Sequence, residues 1–214
     1  LKAWDRSLGP ESKGAILWRE MASGLSAIAT SKSLYAVPFS LKDPANTPHG
    51  VADKAATKFA PALAQAIKRL DGAKIPLDGT LGQWQYTKIA DKKYPVHGGS
   101  GTFGAFNVVG WSAGRNSTIW PEFEPAASLG GAGLTKEGYP VNYGSSFVMA
   151  MTFTDSGPKG RALLTYSQSA EPDSPYATDQ TALLSQAKLR PMLFEDAEID
   201  ADPKLVKETV SNKP

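Results

Sequence analysis

The chain has 214 residues, 41% of them hydrophobic, with 23 basic and 21 acidic side chains and a formal net charge of +2. That is enough apolar material for a packed core, which argues against disorder, and the near-balanced charge gives no electrostatic reason to expect a nucleic acid or a membrane surface as partner. No apolar run approaches the roughly 18 residues of a membrane-spanning helix, and the absence of cysteine excludes disulfides, thiolate catalysis and zinc–cysteine sites.

Leu1-Lys2-Ala3-Trp4-Asp5-Arg6 reads as mid-domain sequence, a helix end before a polar turn over 7–13. With no initiator Met or signal peptide, it points to a chain cut from something longer. Residues 15–30 place Leu17, Met21, Leu25 and Ile28 on one helical face. Pro38, Pro44 and Pro48 make 37–49 an extended connection. Over 52–70, Ala52, Ala55, Ala56, Phe59, Leu63, Ala66, Ile67 and Leu70 form a second helical stripe. Pro61 predicts a kink or break in it, and Asp71-Gly72 its end.

Beyond Pro76 glycine, aromatic and β-branched residues dominate, and strands are expected near 82–89 and 103–110. The stretch 111–143 has no clear period and reads as a long irregular excursion. Phe147, Met149, Met151 and Phe153 then alternate with Val148, Ala150, Thr152 and Thr154, the period of a strand. A turn over 155–160 leads to a return strand whose matching face is Ala162, Leu164 and Tyr166. The Met and Phe face is expected to be sheet core, although a fatty-acyl pocket would use the same residue types. Ser174-Pro175 predicts the start of a helix running to about 188, and the acidic tail beyond Phe194 reads as surface loop and short helix. The expected class is α+β, with 1–75 mainly helical and 76–214 mainly strands with a late helix.

Two motifs look like halves of an esterase site. Gly110-Trp111-Ser112-Ala113-Gly114 matches the G-x-S-x-G nucleophile elbow, and His97-Gly98-Gly99-Ser100-Gly101 resembles an oxyanion-hole loop. An elbow serine needs a histidine to take its proton, and in α/β-hydrolases that histidine follows the serine. Both histidines here, His49 and His97, precede Ser112. The preferred readings are therefore a glycine-rich turn at 110–114, a structural loop at 97–101, and His97 as a polar bridge at its base. Asp196, Glu198, Asp200 and Asp202 invite a calcium reading, but a calcium loop starting at Asp196 would need Gly and Glu where Ala201 and Lys207 stand. A solvated acidic edge is preferred.

The second half carries an ordered set of motifs. These are Pro95-Val96-His97-Gly98-Gly99-Ser100-Gly101, Tyr143-Gly144-Ser145-Ser146-Phe147, Ser167-Gln168-Ser169, Asp173-Ser174-Pro175 with Asp179-Gln180, and Arg190-Pro191-Met192-Leu193-Phe194. In this order they resemble the penicillin acylase family, specifically the acyl-homoserine-lactone and aculeacin-type acylases. The family's S-P-H-Y is here Ser174-Pro175-Tyr176-Ala177, and its glycines flanking Gln168-Ser169 are Ser167 and Ala170.

The resemblance implies part of an αββα sandwich of an N-terminal-nucleophile hydrolase. In that family a precursor cleaves itself to expose a serine whose own α-amino group is the base. Leu1 has no hydroxyl, and by position the chain matches the C-terminal third of the large subunit. The resemblance therefore implies no catalytic residue in this chain. It also implies no cofactor (a structural calcium being possible in a partner chain), and partners that are other fragments of the same precursor. The implied substrate is a small acyl amide, in a periplasmic or secreted enzyme. Residues 1–214 would form one segment, its hairpin 147–166 lending strands to a sheet shared with the nucleophile's segment. Two other classes stay open on the residues alone: a secreted β-rich module binding carbohydrate or peptide through 97–120, and a stand-alone esterase using Ser112.

Overall fold

The computed structural model describes residues 1–29, 32–101, 104–110 and 133–210, the side chains of 26–29 and 32 excepted. The fold is α+β, with a helical half followed by short sheets.

The opening residues form turns rather than a helix end. Trp4 donates its indole N–H to Ser12 Oγ (2.9 Å) and the Ser7 carbonyl (3.0 Å), while Asp5 accepts from the Ser7 N–H (2.9 Å) and Ser12 Oγ (3.0 Å). This polar knot competes with helical hydrogen bonding and hands the chain to α1 (Ala15–Ala29). Leu17, Met21 and Leu25 are buried along α1 as the spacing requires; the side chain of Ile28 lies outside the described residues.

Residues 37–49 do not run extended: they turn back on themselves, with the Asp43 N–H donating to the Ser40 carbonyl (3.1 Å), and an antiparallel bridge between Val37 and His49 closes the base. The second helical stripe is broken, as Pro61 led one to expect, into α2 (Asp53–Ala56) and α3 (Phe59–Gly72). Pro61 is the third residue of α3, where its missing N–H is one that has no intrahelical partner anyway. Within α3 the buried stripe is Ala62, Ala66 and Leu70, one residue in every four, and Ile67, which the sequence pattern put on the stripe, is exposed at its margin. Small side chains at 62 and 66 let α3 lie close on α1. Ile16, Leu17, Met21 and Leu25 meet Ala66 and Leu70 there, with Leu81, Leu134 and Tyr139 completing the core.

The strand expected from 82 begins at 85, because α4 (Leu81–Trp84) takes the first residues. β1 (Gln85–Ile89) pairs antiparallel with β2 (Lys92–Pro95) through a tight turn at Ala90-Asp91, and parallel with β4 (Tyr139–Pro140). β2 escaped the sequence pattern because Lys92 and Lys93 are exposed and only Tyr94 is buried. Of the strand expected over 103–110, the described residues 104–110 form β3 (Val109–Gly110), paired with β5 (Tyr143–Gly144).

The hairpin is β6 (Phe147–Thr154) with β7 (Gly157–Leu164), and β8 (Arg190–Met192) adds to the outside of β7. Its turn is two residues, Asp155-Ser156, shorter than the six expected, because Thr154 pairs directly with Gly157. Phe147, Met149, Met151 and Phe153 do share a face with Leu164, Ala162, Gly160 and Pro158. That face is not core. Phe147 is 52% and Phe153 81% exposed, and the opposite face, through Val148 and Leu163, packs on Val96, Val109, Val141 and Leu184. The helix expected from 174 starts late, as α5 (Asp179–Ser185), because Ser174 and Ala177 close a turn first. The acidic tail forms the short, exposed α6 (Asp196–Ala201).

Candidate functional site

Residues 97–101 follow β2 after Val96. Gly98 adopts φ +106, and a Cβ there would stand 2.1 Å from the Asn107 carbonyl oxygen, so only glycine fits. The N–H of Gly98 donates to the Leu8 carbonyl (2.9 Å) and that of Gly99 to the Asn107 carbonyl (3.1 Å). Both of these amides are committed to the fold rather than free to meet an anion. His97 is half-buried. Burial pushes its pKa below the ordinary histidine value, opposed by the Leu184 backbone. Its carbonyl accepts from Asn107 Nδ2 (2.7 Å), so the polar bridge at the loop base runs through the His97 backbone; its Nδ1 is buried without a hydrogen-bond partner. The other histidine, His49, sits in the exposed loop with Nδ1 2.7 Å from the Asn46 carbonyl. Of the elbow motif, Gly110 ends β3, while Ser112 and its neighbours lie outside the described residues.

Gln85 clamps the loop from beneath. Fully buried at the start of β1, it donates through Nε2 to the carbonyls of Val96 (2.7 Å) and Gly98 (3.0 Å), and its Oε1 accepts from Arg19 Nη1. The Arg19 guanidinium lies 4.3 Å from the centre of the Tyr139 ring. Tyr139 in turn donates to Glu20 Oε2 (2.6 Å), and Glu20, wholly buried, also accepts from Arg69 Nε. Burial, then the Glu20 charge, raises the Tyr139 pKa far above the ordinary phenol value, so Tyr139 stays protonated and donates to Glu20. This network joins α1, α3, β1, β4 and the loop. Beside it lies a cavity of about 400 Å³ whose walls include Leu8, Trp18, Arg19, Leu81, Gly99 and Val108. Its lining comes from widely separated stretches, which is why no local motif announced it.

The remaining motifs also satisfy backbone. Gly144, at φ +151, approaches β3 so closely that a Cβ would lie 2.1 Å from the Val108 carbonyl oxygen. Ser167 Oγ accepts from the N–H groups of Gln180 (3.2 Å) and Thr181 (3.1 Å), capping α5 from a distant segment. Gln180 Oε1 accepts from the Leu164 N–H (2.8 Å), and Thr181 Oγ1 donates to the Thr165 carbonyl (2.8 Å). The S-Q-S and D-Q blocks are thus one lock between the hairpin and α5. Asp196, Glu198, Asp200 and Asp202 are on or beside exposed α6, and among the described residues no three His, Asp or Glu side chains are grouped to hold a metal.

The motifs shared with the acylases therefore stand where the fold needs them, and the profile of the Penicillin amidase family matches residues 1–201. The chain belongs to the penicillin amidase family. It is 28% identical over 218 residues to the acyl-homoserine lactone acylase PvdQ of Pseudomonas syringae pv. syringae, a match spanning 100% of this chain and 25% of that protein. It is 31% identical over 206 residues to the aculeacin-A acylase of Actinoplanes utahensis, spanning 96% and 22%. The PvdQ of Pseudomonas syringae pv. tomato is 29% identical, spanning 95% and 24%. The chain thus corresponds to about a quarter of the length of these relatives. Among the described residues no helix is long and apolar enough to cross a membrane.

Proposed function

We propose that the chain is a non-catalytic segment, the C-terminal part of the large subunit, of an acylase that hydrolyses N-acyl amides. N-acyl-homoserine lactones are the favoured substrates, with penicillin-type β-lactams and lipopeptides as further ones. The observation that carries this reading is a family match running along almost the whole chain, joined to relatives about four times its length.

In this reading the chemistry belongs to another polypeptide of the same precursor, freed by self-cleavage and headed by a serine. Its hydroxyl attacks the amide carbon, its α-amino group takes the proton, and donors on that polypeptide hold the oxyanion. The present chain contributes part of an αββα sandwich, is one segment rather than a domain that folds alone, and works in the periplasm or outside the cell. Hydrolysis of acyl-homoserine lactones would quench quorum signalling, and hydrolysis of penicillin-type amides would bear on antibiotic resistance. The commitment of the Gly98 and Gly99 amides to Leu8 and Asn107 favours an architectural role for these motifs.

Intact mass spectrometry of the native complex, with amide hydrolysis measured on the complex and on this chain separately, tests the proposal. Companion polypeptides, one beginning with serine, and activity only in the complex are expected. Acylase turnover by this chain alone would overturn the division of labour.

A further inference from the structure

The sheets β2-β1-β4, β3-β5 and β6-β7-β8 share no strand among the described residues. Where they meet lies a cavity of about 10 Å³, roughly the room that the centre of one water needs. Polar groups reach its wall from Thr87 on β1, Asn107 ahead of β3, Ser145 just after β5 and Tyr166 beyond β7. Apolar side chains such as Val96, Val141 and Leu184 make up much of the remainder.

These polar groups hold hydrogen-bonding capacity that the fold does not spend. Asn107 is only 8% exposed. Its Nδ2 donates to the His97 carbonyl (2.7 Å), which fixes the orientation of the amide, because the flipped form would set two carbonyl oxygens against each other. Oδ1 is then the acceptor left over, and it is buried without a hydrogen-bond partner. Ser145 Oγ accepts from the Val108 N–H (3.2 Å), so its own proton is still to be donated. Among the described residues neither the Thr87 nor the Tyr166 hydroxyl has a partner, and burial alone pushes the Tyr166 pKa up to about 12. Thr165, also on the wall, differs in spending its hydroxyl on the Ser145 carbonyl (2.7 Å).

Buried polar groups are rarely left unsatisfied, and several around one cavity call for a shared partner. That partner has to donate to Asn107 Oδ1 and accept from a hydroxyl. It has to be uncharged, because no charged side chain lines the cavity among the described residues. The volume admits nothing larger than a water. We infer that one internal water occupies this cavity, donating to Asn107 Oδ1 and bonding to the hydroxyls of Thr87, Ser145 and Tyr166, so that it ties the three sheets together at a junction no strand ladder crosses. Such waters make about three hydrogen bonds and are costly to remove.

A high-resolution crystal structure of the complete mature enzyme, from ammonium-free crystals, tests this. One isolated peak is expected in the cavity, about 2.6–3.2 Å from Asn107 Oδ1 and from at least two of the three hydroxyl oxygens. Thr87→Val combined with Tyr166→Phe removes two partners without enlarging the cavity, and should lower the occupancy of the peak while the Asn107–His97 bond stays. Val141→Ile reads the same site in solution, even where the paired variant fails to fold. Filling a dry void stabilises, whereas expelling a water strands Asn107 Oδ1. A lowered Tm, with the peak gone, is therefore expected. An empty cavity would overturn the inference, as would a side chain from elsewhere in the enzyme bonded to Asn107 Oδ1. So would an unchanged peak in the paired variant, or a Tm raised by Val141→Ile. The water site and the acylase reading stand or fall separately, since amide hydrolysis enters none of these outcomes.

Discussion

Replacing Glu20 by Gln isolates the buried charge at the centre of the helical half. Glu20 is wholly buried and receives Arg69 Nε and the Tyr139 hydroxyl, the latter at 2.6 Å. Gln keeps the shape and one acceptor oxygen, but its amide NH2 then meets the second donor, and Arg69 loses its counter-charge. A hydrogen bond to a charged group contributes about 1.5–3 kcal/mol, and removing one partner of a buried pair costs about 3–5 kcal/mol. Arg69 is 22% exposed and recovers some hydration, so we expect a loss of about 3 kcal/mol. In an enzyme as long as its relatives, about four times this chain, that is a fall in Tm of about 1.5–3 °C. The control is Lys93→Met. It breaks the Lys93–Glu137 bridge of 2.7 Å, whose side chains are 45% and 70% exposed, and should cost no more than about 0.5 kcal/mol. Arg69→Met alone should be as damaging as Glu20→Gln, and combining it with Glu20→Leu should recover part of the loss. Differential scanning calorimetry of the enzyme and its variants reads all of these. A Glu20→Gln shift no larger than that of Lys93→Met would refute the reasoning.

Three further outcomes follow from the loops and motifs. Gly98→Ala and Gly144→Ala each drive a Cβ to 2.1 Å from a backbone carbonyl oxygen at positive φ; each should cost at least ~3 kcal/mol in urea unfolding, because no rotamer relieves a main-chain clash. Ser167→Ala should remove about 1–2 kcal/mol and speed exchange of the Gln180 and Thr181 amides it caps. His97 has a pKa lowered by burial, so the folded state binds fewer protons than the unfolded state just below the ordinary value of 6.5. Its contribution is present above that pH and is lost as pH falls from it through the lowered value of the folded state. His97→Gln should therefore shrink the loss of stability between pH 7 and pH 5, measured as the denaturation midpoint at each pH.

Much of the fold was legible where side chains repeat with a clear period. α1 and the β6–β7 pairing follow from single stripes, and the break at Pro61 from one residue's covalent chemistry. What the pattern missed was set by context. β2 hides behind Lys92 and Lys93, and Ser174-Pro175 looks like a helix start but closes a turn, leaving the cap of α5 to Ser167. The apolar face of β6 reads as core from its composition, yet Phe147, Met149 and Phe153 are exposed. Alternation reveals that one face is apolar, not which molecule covers it. The cavity beside Arg19 was illegible because its walls meet only in three dimensions. The loop 97–101 was legible as glycine-dependent; that its amides go to Leu8 and Asn107 needed the fold.

The central claim is that the attacking group sits on a different polypeptide from the one described above. Treating the native enzyme with an acyl-mimicking sulfonyl fluoride and mapping the adduct by peptide mass spectrometry tests this most directly. The account predicts one adduct, on the N-terminal serine of a companion chain, with residues 1–214 unlabelled. A stoichiometric, activity-abolishing adduct on Ser112, or on any other residue of this chain, would contradict it.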